Sequence, residues 1–182
     1  SLHNEDEIER KDIRIGDIVT VERAGDVIPH ILFVDKKKRS KDNLKFLFPK
    51  KCPSCGSQTV KEFNLITKKN DAVRRCTSEG YECEKIAIEK IKHFVSKDAF
   101  NIDGFGKKIV EKFWNIGLIK QPQDIFKLNF KKIEKLDGWG KLSVENLRYS
   151  INEKKNISIE RLIYSFGIRH IGLENAKLIS KY

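Results

Sequence analysis

The sequence predicts an α+β protein made of several small domains in series, and three observations predict it. Residues 13–34 hold two β-prone runs separated by a turn signal. All four cysteines fall between Cys52 and Cys83. From Glu84 onward apolar residues recur among charged ones, with glycine-bearing turns between the runs. These observations divide the 182 residues into a β-rich part (1–50), a cysteine-bearing part (51–84) and an all-α part (85–182). That length suffices for two to three small domains.

In the first part, Ile18, Thr20 and Glu22 alternate with Val19, Val21 and Arg23, the period of a strand with two different faces. Ala24-Gly25-Asp26 reads as a turn, Val27–Val34 as a second strand broken by Pro29, and Leu44–Phe48 as a short closing strand. Lys36–Asn43 between them is a basic polar loop. One small antiparallel sheet, a partial barrel, fits these runs. Residues 52–83 carry little periodicity. Beyond them, apolar faces follow at Ile86, Ile88, Ile91, Phe94 and Val95; at Ile109, Val110, Phe113 and Trp114; at Leu142, Val144, Leu147 and Ile151; and at Leu162, Ile163 and Phe166.

The four cysteines form a C-x2-C pair, Cys52 and Cys55, and a C-x6-C pair, Cys76 and Cys83. A C-x2-C turn presents two thiolates from one tight backbone knuckle, and structural zinc takes four such ligands in a tetrahedron. Four cysteines confined to 32 residues of a chain with no others point to one shared, structural Zn2+ with no position left open for water. Two disulfides, or a C-x-x-C redox pair, are the competing readings; the first needs an oxidising compartment and the second a thioredoxin-like βαβ setting. In a region this poor in hydrophobic residues, a bound ion substitutes for a core.

The helical part contains a repeat. Ile102-Asp103-Gly104-Phe105-Gly106-Lys107-Lys108 recurs as Leu136-Asp137-Gly138-Trp139-Gly140-Lys141-Leu142, and a divergent third copy reads Arg169-His170-Ile171-Gly172. Glycines on either side of an apolar residue allow positive φ and let a ligand approach the backbone unobstructed by Cβ. Phe105, Trp139 and Ile171 are placed to anchor each turn in the core. The amides that follow open a helix, where exposed N–H groups and the helix dipole attract an anion, and Lys107, Lys108 and Lys141 add charge there. Such a unit grips a phosphate backbone without reading bases. A plain helix–turn–helix connection is the bland alternative for one copy; repetition favours the binding reading. The unit resembles the helix-hairpin-helix motif.

Charge agrees with a polyanionic partner. The formal net charge is +11, and residues 1–50 contribute only one of it, with 11 Lys or Arg against 10 Asp or Glu. No apolar run approaches the roughly 18–20 residues of a membrane span, and no signal-peptide pattern opens the chain. These features predict a soluble, cytoplasmic protein without a membrane partner. Methionine is absent and the first residue is Ser1, which predicts a fragment or a processed product. Lys135-Leu136-Asp137-Gly138 matches the Lys-x-Asp-Gly signature of nucleotidyltransferase nucleophiles. Asp137 and Gly138 align with Asp103 and Gly104 of the first hairpin, however, so Lys135 reads as a surface lysine and no catalytic residue is assigned.

Taken together, Arg10–Asp17, Glu22–Pro29, Phe48-Pro49 before Cys52-Pro53-Ser54-Cys55-Gly56, His93–Gly104 and Phe166–Gly172 resemble the corresponding strings of bacterial NAD-dependent DNA ligases, over essentially the whole chain. The resemblance implies a partial OB-fold over 1–50, a four-cysteine zinc finger over 51–84 and a helix-hairpin-helix domain over 85–182, truncated at its end. It implies Cys52, Cys55, Cys76 and Cys83 as zinc ligands. It further implies that Arg23 and Gly25 face DNA near a nick and that Gly104, Gly106, Lys107, Lys108, Gly138, Gly140, Lys141, Arg169, His170 and Gly172 contact the backbone. The full family enzyme uses NAD+ and Mg2+ to seal nicks in duplex DNA in replication and repair. The adenylylation domain is absent from these residues, so the chain alone is expected to be inactive, partnered by nicked duplex DNA and that missing domain, at the bacterial nucleoid. The inter-pair loop Gly56–Arg75 is long, and His170 stands where the other hairpins carry their first glycine. A stand-alone, non-catalytic DNA-binding module is the alternative. A zinc-ribbon RNA binder is less favoured, because RNA modules commonly use aromatic stacking platforms that the sequence does not display.

Overall fold

The computed structural model describes residues 2–24, 28–65 and 67–182, the side chain of Ala24 excepted. The chain forms two compact units, Ser1–Ser78 and Glu79–Tyr182.

The first unit opens on a helix that periodicity did not announce, α1 (Glu5–Lys11). Its ends follow simple electrostatics. Asn4 Oδ1 accepts the N–H groups of Asp6 and Glu7, acids fill the first turn, and Arg10 and Lys11 fill the last. Strands β1 (Val19–Ala24) and β2 (Ile28–Val34) pair antiparallel from Val19↔Val34 to Ala24↔Ile28, with an irregularity at Thr20/Val21. Pro29 does not break the second strand. It pairs with Arg23 inside it, as a two-stranded sheet allows, since each strand has a free edge for a residue lacking an N–H. The turn expected at Ala24-Gly25-Asp26 lies largely outside the described residues, and so does the site residue Gly25.

No closed barrel forms among the described residues. The expected closing strand Leu44–Phe48 is corrected to a single bridge, Arg14↔Lys45. Leu44 and Leu47 of that stretch are exposed, so no burial rewards a longer pairing. A polar clasp takes over the role of a core here, where Ile8 is the one buried hydrophobic among the described residues. Arg39 Nε and Nη2 donate to the two carboxylate oxygens of Asp17 at 2.9 and 2.7 Å, and its Nη1 donates to Asp12 at 2.6 Å. Asn43 and the Arg14 amide complete the shell around Asp17, whose side chain is 1% exposed.

The cysteine-bearing part contains a second hairpin, β3 (Thr59–Asn64) with β4 (Lys69–Cys76), antiparallel from Thr59↔Cys76 to Asn64↔Lys69. Its strands are polar on both faces, so no alternation advertised them. Arg74 donates to both carboxylate oxygens of Glu5, and Lys61 pairs with Glu5 and Asp6, which holds α1 against this hairpin.

The second unit is helical: α2 (Glu84–Phe94), α3 (Lys107–Asn115), a 3-10 turn (Pro122–Lys127), α4 (Phe130–Ile133), α5 (Lys141–Glu153), α6 (Ile159–Ser165) and α7 (Leu173–Ile179). Ile88, Ile91, Phe94, Val110, Phe113, Trp114, Val144, Leu147 and Ile151 are buried, as their spacing predicts. Two expectations fail. Leu142 is exposed because it lies about 200° around α5 from Val144, on the opposite face. Phe166 caps the end of α6 and is also exposed. No helix among the described residues is long and apolar enough to cross a membrane.

Candidate metal centre and nucleic-acid interface

The cysteine cluster is assembled from three backbone devices. The Cys52–Cys55 knuckle is closed by Gly56 N–H donating to the Cys52 carbonyl at 2.8 Å and by Cys52 N–H donating to Ser57 at 2.7 Å. Gly56 sits at φ +77°, a conformation that favours glycine. Cys76 is the last residue of β4, and Cys83 is the N-cap of α2 and is buried. The four sulfurs all lie within 4.8 Å of one another, with Cys55 and Cys76 3.5 Å apart. Zinc–sulfur bonds of about 2.3 Å in a tetrahedron place sulfurs roughly 3.8 Å apart. The donor set therefore fits one four-coordinate soft cation.

The thiols affect one another's charge. Hydrogen bonds from Ser57 pull the Cys55 thiol down to about 6. Cys76 accepts the Ser78 N–H, which lowers its pKa, but desolvation and the neighbouring thiols push it up to about 11. Four clustered sulfurs resist ionising together unless a cation neutralises them.

The three repeats share one backbone form. In each, the apolar centre donates its N–H to the carbonyl three residues back: Phe105 to Ile102 at 3.2 Å, Trp139 to Leu136 at 3.0 Å and Ile171 to Ile168 at 3.0 Å. The residue before the centre is left-handed in all three, Gly104 at φ +77°, Gly138 at +80° and His170 at +66°. Histidine thus adopts the conformation glycine holds in the other copies. The residue after the centre behaves differently from expectation. Gly106, Gly140 and Gly172 have φ of −70°, −95° and −78° and are the N-caps of α3, α5 and α7. Positive φ is therefore needed only at the first position of each turn.

The second glycines have another property. A Cβ built on Gly106, Gly140 or Gly172 would meet nothing within 4 Å, so the fold itself makes no demand for glycine there. No side chain caps the helices they begin, and all three glycines are exposed. The first-turn N–H groups at these positions receive no side-chain cap, and exposed Lys107, Lys108 and Lys141 follow the first two glycines.

Phe105 is buried, Trp139 half-buried and Ile171 half-buried. The first two hairpins come together. Phe113 lies 5.5 Å from the rings of both Phe105 and Trp139, and Gly104 and Gly138 line one cavity of about 590 Å³. Lys112 in that cavity was not singled out by sequence, where it is one lysine among many. Arg169 and His170 are exposed in the third hairpin, Arg23 is exposed on β1, and Lys135 is exposed ahead of the second hairpin.

These features define a mixed α+β protein that carries a four-cysteine donor set and a repeated glycine-hairpin unit. Residues 1–43 match the family model of the NAD-dependent DNA ligase OB-fold domain. The whole chain is 75% identical to a DNA ligase of Pelagibacter ubique, 46% to one of Xanthobacter autotrophicus and 50% to one of Ehrlichia canis. It spans 27%, 26% and 27% of those proteins. The chain belongs to the NAD-dependent DNA ligase family.

Proposed function

We propose that this chain is the DNA-gripping stretch of an NAD-dependent DNA ligase. Cys52, Cys55, Cys76 and Cys83 hold a structural zinc ion, and residues 85–182 form a helix-hairpin-helix domain that binds the backbone of nicked duplex DNA without sequence preference. A zinc ion held by these four sulfurs would stand in for a hydrophobic core in this segment. The OB-type part (1–50) adds Arg23 and Gly25 near the nick, and 51–84 is the zinc finger between them.

The observation that carries the reading is the recurrence of one turn three times: a left-handed residue, an apolar centre, and an exposed N-cap glycine that nothing inside the fold requires. A glycine kept where a Cβ has room suggests close approach by something outside the chain. Hairpin amides with adjacent lysines suit a phosphate oxygen.

In the whole enzyme, NAD+ and Mg2+ would serve the adenylylation and sealing of nicks in replication and repair at the nucleoid. That chemistry is assigned to an adenylylation domain outside these 182 residues. The test is to titrate the chain against nicked duplex DNA and single-stranded RNA, and then to add the adenylylation domain in trans and follow sealing. Preferential duplex binding with stimulated sealing is expected. Binding without stimulation would favour a stand-alone DNA-binding module, and a preference for RNA would overturn the reading.

A further inference from the structure

We infer that Lys112 is a positioning residue that sets the second hairpin relative to the first, so that their two amide clusters meet one backbone at a fixed spacing. The inference rests on the DNA-binding reading above.

Lys112 lies in the last turn of α3, the helix that the first hairpin begins. Its Nζ donates at 2.9 Å to the carbonyl of Asp137, the residue before the left-handed Gly138 of the second hairpin. The bond thus runs from the helix launched by one hairpin to the turn of the other, across 25 residues of sequence. Lys112 also lines the cavity that Gly104 and Gly138 share. The adjacent Phe113 supplies the apolar half of the same joint, in contact with the rings of both Phe105 and Trp139. Ring packing and the buried Val144 and Leu147 fix the separation of the two turns, and the freedom that remains is rotation of the Asp137–Gly138 peptide within the second. A charged donor on the Asp137 carbonyl, one peptide away from Gly138, restricts that rotation. It thereby fixes where the amides following Gly140 point.

One residue earlier, at Glu111, α3 is itself held to α2, because Lys92 bridges Glu89 and Glu111 at 2.6 and 2.7 Å. Lys112 accordingly ties the second hairpin to an anchored helix. A lysine that merely added positive charge would need no such acceptor.

The test is a pair of double-mutant cycles on nicked duplex DNA of mixed sequence. Lys112→Met keeps the length of the side chain and removes its donor. Lys141→Ala weakens the second hairpin and Lys107→Ala the first. We expect Lys112→Met to weaken binding about three- to tenfold on its own. It should have little further effect when combined with Lys141→Ala and its full effect when combined with Lys107→Ala. Equal, additive losses in both backgrounds would make Lys112 a direct phosphate contact and overturn the inference. Unchanged affinity in Lys112→Met would overturn it too. A melting curve for Lys112→Met should coincide with that of the parent, and a fall in stability that accounts for the lost affinity would overturn it as well. If the parent chain itself fails to bind DNA, it is the proposed function that falls.

Discussion

Phe113 and Trp139 lie with ring centroids 5.5 Å apart at 39°, so the centre of the second hairpin rests on the helix that the first one begins. Phe113 is fully buried, and it also meets Phe105 edge-on. Two copies of one sequence unit thereby share a single piece of core.

Phe113→Ala should destabilise the helical unit by about 3–5 kcal/mol, the usual cost of emptying a buried aromatic site. Denaturant unfolding followed by helical circular dichroism measures it. A loss below about 1 kcal/mol would mean that the two hairpins do not depend on this ring.

Gly106→Asp and Gly140→Asp separate binding from folding. Both positions have ordinary φ and open space for a Cβ, and aspartate is a good N-cap, so stability should hold or rise by up to about 1 kcal/mol. A carboxylate at the proposed phosphate position should reduce DNA affinity by on the order of tenfold or more. Gly104→Val and Gly138→Val behave in the opposite sense: their φ values of +77° and +80° make a β-branched side chain cost roughly 1–2 kcal/mol in folding. Fluorescence anisotropy with labelled duplex, read beside thermal melts, distinguishes the two outcomes.

The chain as purified should contain one zinc ion, measurable by elemental analysis. Chelation, or Cys55→Ser, should disorder the β3–β4 hairpin and the start of α2. Retention of metal stoichiometry and spectrum in Cys55→Ser would rule out a shared four-sulfur site.

Affinity should fall steeply with salt, the slope of log K against log salt being about −0.9 for each phosphate neutralised. Lys107→Ala and Lys141→Ala should each make that slope shallower by about one. A salt-independent affinity would contradict backbone binding.

The Asp17–Arg39 clasp makes the first unit sensitive to acid. Arg39 holds the Asp17 carboxyl well below its ordinary range. A depressed folded-state value means the stabilisation is complete above the unfolded value of about 3.9 and is lost as pH falls below it. Asp17→Asn should therefore be less stable than the parent at pH 7, with the gap narrowing as pH drops from 5 to 2. A gap that stays constant over that range would show that the charge of Asp17 is not what stabilises the clasp.

Much of this protein could be read from its residues alone. The four cysteines, the tandem glycine turns and the amphipathic faces of α3 and α5 are local patterns, and local patterns survive in one dimension because each depends on spacing along a single element. Even α1 had its signals in Asn4 and the acids after it, although seven residues are too few for a periodic face. What escaped depends on partners distant in sequence. The β3–β4 hairpin has no apolar alternation and is defined by pairing. The expected strand at Leu44–Phe48 looked β-prone but has one bridging partner. The second hairpin glycine was expected at positive φ and turned out to be a cap.

The sequence by itself determined which residue types recur at which spacing, because a thiol, a glycine or a lysine is specified by its identity and its near neighbours. The tertiary structure alone decided that four sulfurs converge within 4.8 Å, that two hairpins close on one phenylalanine, and that Lys112 reaches the Asp137 carbonyl. Those relations span tens of residues, and chain entropy leaves them unspecified until packing brings the segments together.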